Sequence, residues 1–99
     1  MRGINIKNFL EGLEHSEELE FEYNGKQYII QPEVNAEGRW FVIYMTDDFF
    51  KTSICIAREK KSDKDGVPKE VINKVLNTKC FEGKSFFEIY NDIQIIYWG

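Results

Sequence analysis

Six glutamates lie between residues 11 and 25, in the stretch EGLEHSEELEFEYNG, which contains no lysine or arginine. Carboxylates in this number could serve acid–base catalysis, bind a cation, or pair with a basic partner. His15 lies among them, and a histidine beside carboxylates can act in proton transfer. No nucleophile accompanies it, so the solvated end of a helix is the better interpretation. We predict no catalytic residue here.

The segment Asp63–Gly66 resembles the start of a calcium-binding loop. If Gly66 took the glycine position of such a loop, the first and last ligand positions would fall on Lys61 and Ile72. A calcium loop needs oxygen donors at both positions. The pattern therefore favours a solvated turn.

The other residue patterns in the sequence also argue against an enzyme. Cys55 and Cys80 are far apart in the sequence, and with His15 they do not make a zinc ligand set, so both thiols are predicted to be small hydrophobic fillers. Asp47-Asp48 is read as a turn or helix cap, because adjacent side chains often point in different directions. The sequence has no phosphate-binding glycine loop and no hydrolase signature. We expect no enzyme activity, no metal and no cofactor.

The net charge of −4 is divided unevenly along the chain. Residues 1–50 carry four basic residues against ten acidic ones, a net −6, whereas residues 51–99 carry nine against seven, a net +2. Nucleic-acid binding requires a basic footprint, so direct binding is not expected. A protein partner with a basic surface is compatible with this distribution.

The local patterns predict one α+β domain over residues 1–99. Asn5 can cap a helix whose apolar residues follow helical spacing, and from Leu19 the period changes to two. Asn24-Gly25 supplies the positive φ angles of a type I′ hairpin, which would pair Tyr23 with Lys26 and continue in that register. Glu18, Glu20 and Glu22 then fall on the outer face of the strand.

Further along the chain, Pro32 favours an end or edge of the second strand, and a turn is predicted at residues 35–38. Residues 40–45 form a continuous apolar strand typical of a sheet centre. Residues 51–57 are either strand or helix, and residues 58–66 are predicted to be a charged loop. A second helix begins near Val67-Pro68, and the Ser85–Glu88 capping box opens a third that extends to about residue 92. The prediction is an N-terminal helix, an antiparallel sheet of three or four strands, two C-terminal helices and a final strand.

The chain is rich in aromatic residues, which either cover the sheet beneath the helices or form an exposed binding patch. No apolar run approaches the roughly 18 residues of a transmembrane helix, and the N-terminus lacks the apolar core of a signal peptide. We therefore expect no membrane association and a cytoplasmic location. The aromatic residues in question are Trp40, Phe41, Tyr44, Phe49, Phe50, Phe86, Phe87, Tyr90, Tyr97 and Trp98.

Three segments resemble a family of small acidic phage-encoded anti-CRISPR proteins that inhibit type II-A RNA-guided nucleases. They are NIKNFLEGLE at residues 5–14, IIQPEVNAEGRWFVI at residues 29–43 and YNDIQII at residues 90–96. The chain departs from the family at Arg39 and Trp40, in residues 80–87, and by an insertion around residues 57–68.

The resemblance implies a non-enzymatic inhibitor that presents carboxylates in place of DNA phosphates to a type II nuclease–guide RNA complex. It assigns contacts to Glu17 and to Asn35 and Glu37 of the turn. Together with the outer glutamates of the strand, these give the predicted partner-binding residues: Glu17, Glu18, Glu20, Glu22, Asn35 and Glu37.

A second resemblance is to small uncharacterised Gram-positive bacterial proteins. It is carried by FEYNGKQYIIQPE at residues 21–33 and FEGKSFFEIYNDIQIIY at residues 81–97. It implies a fold without an activity. The alternative function is therefore a bacterial or prophage protein-interaction or regulatory module, open to homodimerisation through aromatic surface.

Overall fold

The computed structural model describes residues 3–46, 52–62 and 66–99. Helices and strands are mixed along the chain, which confirms the predicted α+β class. In chain order the elements are α1 (Ile6–Glu14), β1 (Leu19–Tyr23), β2 (Lys26–Asn35), β3 (Gly38–Thr46), β4 (Ser53–Lys60), α2 (Lys69–Leu76), α3 (Phe86–Ile89) and β5 (Gln94–Trp98).

Helix α1 begins where its capping residue was predicted. The Asn5 side chain accepts a hydrogen bond from the Asn8 backbone N–H at 3.0 Å, which satisfies one of the free donors of the first turn. Phe9 and Leu13, four residues apart on one side of the helix, are completely buried. The apolar stripe is therefore the face that enters the core.

The β1–β2 hairpin has the predicted register. Tyr23 pairs with Lys26, and the ladder continues to Leu19 opposite Ile30. Asn24 and Gly25 have φ angles of 52° and 78°, as a type I′ turn requires. The turn chemistry and the alternation of apolar residues specify the same pairing, so the register is determined locally.

Pro32 lies inside β2, opposite Phe41 of β3, and not at the strand end. It is nevertheless at a local edge. The β1 strand reaches only to Leu19, which pairs with Ile30, so the ladder on that side has ended before Pro32. The missing N–H therefore costs no sheet hydrogen bond.

The ambiguous segment after β3 is a strand. β4 runs from Ser53 to Lys60, so the prediction of a charged loop was wrong for residues 58–60. Arg58 and Lys60 alternate with Glu59 and pair with β3, which gives the backbone of this charged stretch a sheet partner. The predicted turn at Asp47-Asp48 lies outside the described residues, as do residue 51 and Asp63–Asp65.

All strands belong to one antiparallel sheet in the order β4-β3-β2-β1-β5. The predicted three or four strands are β1 to β4, and the final strand joins them by pairing with β1. β3 is an interior strand between β2 and the edge strand β4, whereas the central position predicted for it is occupied by β2.

The core lies between the sheet and the helices. One cluster joins buried residues of all three helices to one face of the sheet. It includes Phe9, Leu13, Leu76, Phe86 and Ile89 from the helices and Leu19, Phe21, Tyr28, Ile30, Phe41 and Ile43 from the strands. The two-layer arrangement leaves the other sheet face, which we call the outer face, without a helix from the described part of the chain.

Helix α3 is shorter than predicted. It ends at Ile89 instead of continuing to residue 92. The carbonyl of Tyr90 accepts the N–H of Ile4 at 3.2 Å, and the carbonyl of Ile93 accepts the N–H of Gly3 at 2.8 Å. The chain after α3 thus bonds to the N-terminal segment, a long-range contact that local sequence does not encode.

The predicted capping box at the start of α3 is present and gives a pH-dependent stability. Glu88 accepts hydrogen bonds from Lys79 Nζ at 2.8 Å and from the Ser85 N–H at 3.1 Å. The Lys79 bond, followed by the backbone bond, lowers the pKa of Glu88 from 4.5 to about 2.

We expect the stabilisation by Glu88 to be complete above its unfolded-state pKa and to disappear as the pH falls from about 4.5 to about 2. The free energy of unfolding of the native chain and of Glu88→Gln, measured by urea denaturation, should converge across that interval. Lys79→Met, which removes the main partner, should move the loss toward pH 4.5. If the difference in the free energy of unfolding between Glu88→Gln and the native chain were the same at pH 4.5 and at pH 2, Glu88 would not be the source of the pH dependence.

Candidate functional site

The predicted acidic residues of β1 lie on the outer face. Glu20 is paired between Ile29 of β2 and Tyr97 of β5, and Glu22 between Gln27 and Gln94. Glu18 precedes the strand, where its backbone exchanges two hydrogen bonds of 3.1 Å with Gly99. Because alternate side chains share one face, Glu18, Glu20 and Glu22 form one line, which we call the acidic row.

No residue of the acidic row forms an ion pair within residues 3–46, 52–62 and 66–99. The ion pairs described there use other carboxylates, those of Glu59, Glu82 and Glu88. The Cα atoms of successive glutamates of the row are about 6.8 Å apart along the strand. The row is therefore a short line of uncompensated negative charge on a rigid element.

Glu17 does not belong to this row. Its backbone N–H bonds to the carbonyl of Gly12, and its side chain folds back over the end of α1. A Cβ placed on Gly12 would lie 2.5 Å from Glu17 Oε1. The absence of a side chain at Gly12, which weakens the helix, is what admits the carboxylate there.

The 35–38 turn is held internally by Asn35. Its Oδ1 atom accepts the Glu37 N–H at 2.9 Å and the Trp40 Nε1–H at 3.1 Å. The side-chain oxygen thus serves the turn itself, as in an Asx turn. Glu37 is exposed, so within the turn it is the carboxylate available to a partner.

The turn and the acidic row are separate surfaces. Asn35 lies six residues along β2 from Ile29, the neighbour of Glu20, which corresponds to about 20 Å. A partner must be broad to contact both. The sequence places these residues in one predicted partner-binding set, whereas the structure separates them into two surfaces.

A cationic cluster on the same face was not predicted. The Arg58 guanidinium lies 4.5 Å from the centre of the Trp40 ring, and Lys60 Nζ lies 5.8 Å from it. Both distances are in the range of cation–π attraction. The signal in the sequence was the alternation of Arg58 and Lys60, which had been assigned to a loop.

Between the acidic row and the cationic cluster, β2 and β3 carry a mixed strip. The Tyr44 hydroxyl donates to Glu33 Oε1 at 2.5 Å. This hydrogen bond, with burial as the second cause, raises the pKa of Tyr44 to about 12. Val42 is almost completely buried although it points away from the helices, because its neighbours on the face shield it. The strip is thus ordered before any partner binds.

The aromatic residues are divided between the two sides of the sheet. Phe41 and Phe86 are buried in the core, as one reading predicted, whereas Trp40 and Tyr44 lie on the outer face and Tyr97 is 50% exposed. Phe49 and Phe50 lie outside the described residues. The outer aromatic residues therefore belong to the candidate site.

The thiols differ in their surroundings. Burial raises the pKa of Cys80 to about 11, in agreement with its predicted role as a filler. Cys55 is exposed on β4, so the same prediction was wrong for it. Among the described strands, β4 is at the edge of the sheet and pairs on one side only, with β3.

His15 is exposed at the end of α1, where its backbone N–H caps the helix. The neighbouring Ser16 Oγ accepts the Gly66 N–H at 2.9 Å. A cleft of about 400 Å³ between α1 and α2 has the apolar residues Ile6, Leu10 and Ile72 in its wall and contains none of the predicted site residues. These features do not extend the candidate site beyond the outer face and the turn.

Within the described ranges, no three His, Cys, Asp or Glu side chains are grouped as metal ligands would be. The helices found there are also too short or too polar to cross a membrane.

Comparison of the chain with protein-family models, curated proteins and solved structures gave no match.

Proposed function

We propose that this protein is a non-enzymatic, protein-binding inhibitor of the anti-CRISPR type. Its acidic surface blocks a basic DNA-binding site of a type II CRISPR nuclease in the bacterial cytoplasm. The observation that carries the proposal is the acidic row, Glu18, Glu20 and Glu22, which has no basic partner among the described residues. The resemblance of three sequence segments to that family supplies the candidate target.

The chemistry of the row suits this role. Basic side chains that hold DNA phosphates form equally good charge-assisted hydrogen bonds with carboxylates. A strand fixes the backbone spacing of the three glutamates, so binding orders their side chains but not their backbone. Glu37, on the rigid turn about 20 Å away, adds a second contact for a broad basic surface.

The first test is binding to several type II nuclease–guide RNA complexes and inhibition of their DNA cleavage. We expect binding that weakens as salt rises, because exposed charges carry it. The triple variant Glu18→Gln, Glu20→Gln, Glu22→Gln should bind about 100-fold more weakly, since three charge-assisted contacts are lost.

The matched control is the triple variant Glu11→Gln, Glu14→Gln, Glu70→Gln, which removes the same charge from the helix layer. It should retain binding and inhibition. Equal loss in both triple variants would show that net charge, and not the acidic row, is responsible. Absence of binding to every nuclease tested would refute the proposal.

The alternative function, a protein-interaction module that forms homodimers, is favoured by one observation. The cationic cluster lies on the same face as the acidic row, so this face is not uniformly negative. A surface that carries both positive and negative charges is complementary to a partner that also carries both, such as a second copy of the chain.

A further inference from the structure

The outer face carries opposite charges on its two sides. The acidic row follows β1, and Arg58 and Lys60 follow β4, the edge strand on the far side of β2 and β3. The strip between them contains Ile29 and Tyr44, the almost completely buried Val42, and the polar residues Gln31 and Glu33. The face is therefore of mixed polarity in the middle, where Ile29 and Tyr44 are half-buried, negative on one side and positive on the other.

We propose that this face binds a second copy of the chain. The two sheets pack face to face about a two-fold axis parallel to the strands, between β2 and β3. This inference goes beyond the proposed inhibitor function and does not depend on it. The contact is isologous, because both copies use the same surface.

The charge pattern selects this axis. Rotation about an axis parallel to the strands exchanges the two sides of the sheet, so β1 of each copy lies over β4 of the other. Rotation about an axis across the strands would instead place β4 over β4 and cations over cations. Opposite charges favour the first arrangement and like charges oppose the second.

The strand register places an acidic and a basic residue at the same level, that is, at the same position along the strand direction. Glu18 precedes Leu19, which pairs with Ile30, so Glu18 lies opposite Gln31. Gln31 pairs with Val42, and Val42 pairs with Arg58. Glu18 and Arg58 are therefore at one level on opposite sides of the face. After the rotation each Glu18 lies over Arg58 of the second copy, so the dimer contains this ion pair twice.

The central strip also brings an apolar residue opposite an aromatic one under the same rotation. Ile29 pairs with Tyr44 across β2 and β3, one level away from Val42. In the dimer, Ile29 of each copy lies over Tyr44 of the other. Aligned sheets pack about 10 Å apart, a distance that side chains of this size fill.

The face is large enough for a modest interface. The axis between β2 and β3 superposes four strands, β4 to β1, and leaves β5 outside the contact. Four strands at about 4.8 Å and four side-chain levels at about 6.8 Å give a flat area of about 500 Å² per copy. This is below the roughly 800 Å² per partner of a standard stable interface. We therefore expect a dimer that dissociates on dilution.

Two side chains of the interface are ordered in advance. Arg58 is held against Trp40, and Tyr44 by its hydrogen bond to Glu33. Side chains that are already fixed lose little entropy on association. The dimer would also cover the acidic row, so a basic partner of the kind proposed above must displace the second copy.

Sedimentation equilibrium of the purified chain from about 1 µM to about 1 mM tests the dimer. We expect a monomer–dimer equilibrium that weakens with salt. Arg58→Glu should raise the dissociation constant at least about tenfold, because the pair occurs twice and becomes repulsive. The double variant Arg58→Glu, Glu18→Arg should restore association, since the same pair is formed with its charges exchanged.

The matched control is Lys69→Glu, the same charge change on exposed helix α2, which should leave the dissociation constant unchanged. Circular dichroism establishes that each variant is folded, and Glu18→Arg alone provides a second disruption that leaves the Arg58–Trp40 contact intact. A monomer at every concentration, or a dimer insensitive to both single variants, overturns the proposal. The measurement uses the chain alone, so its failure is distinct from failure to bind a nuclease.

Discussion

Replacing Phe21 by alanine is expected to lower the free energy of unfolding by about 3–5 kcal/mol. Phe21 is fully buried, and its ring lies 5.3 Å from that of Tyr28, 5.8 Å from that of Phe81 and 5.7 Å from that of Phe86. Removing the ring leaves a cavity at the junction of β1, β2 and the segment around α3. Since domains of this size are stable by only about 5–15 kcal/mol, the loss is a large fraction of the total. Urea denaturation followed by circular dichroism measures it.

The control for this prediction is Val34→Ala, which shortens a side chain that is 68% exposed. It should change the free energy of unfolding by less than about 1 kcal/mol. Phe21→Leu should fall between the two, because it keeps most of the apolar volume. A loss below about 1 kcal/mol for Phe21→Ala would show that these rings do not form the close-packed centre of the core.

Replacing Gly66 by alanine is expected to lower the free energy of unfolding by about 2–4 kcal/mol. Gly66 has a φ of 83°, and a Cβ there would lie 2.1 Å from the backbone oxygen of Glu14. The residue cannot move away easily. Its N–H donates to Ser16 Oγ at 2.9 Å and its carbonyl accepts from Lys61 Nζ at 2.8 Å.

Gly25→Ala is the matched control for this steric effect. Gly25 also has a positive φ, 78°, but no atom lies within 4 Å of the position its Cβ would take. The substitution there should cost only the backbone strain, about 1–2 kcal/mol. Thermal unfolding of both variants separates the cost of backbone strain from the cost of the steric contact. Equal losses of stability in the two variants would mean that the contact with Glu14 relaxes without cost.

The glycine that resembled part of a calcium loop therefore has a structural role. Gly66 joins the end of β4 to the end of α1 through Lys61 and Ser16. The sequence excluded a complete calcium loop because two ligand positions lacked oxygen donors. It did not show why glycine was needed, because the restricting atom belongs to a residue 52 positions earlier in the chain.

The candidate site was predicted in part. The alternation along β1 placed Glu20 and Glu22 correctly on the outer side of the hairpin. The choice of Asn35 rested on resemblance, and its oxygen proves to bond to Glu37 and Trp40. The cationic cluster was missed because a run of charged residues is more often a loop than an edge strand.

The sequence by itself determined the elements whose causes are local. The Asn5 cap, the Asn24-Gly25 turn and the capping box at Ser85 each involve residues a few positions apart, so the sequence specified where α1, the hairpin and α3 begin. The period-two alternation of β1 likewise determined which face receives its glutamates.

Only the tertiary structure decided what lies beside those glutamates. The pairing of β5 with β1, and the position of β4 at the far edge, bring residues more than 35 positions apart onto one face. Such pairings depend on the closure of long loops and on the packing of the whole core, which no short segment encodes. The alternation of β1 therefore placed the acidic row, and the sheet order placed the cationic cluster opposite it.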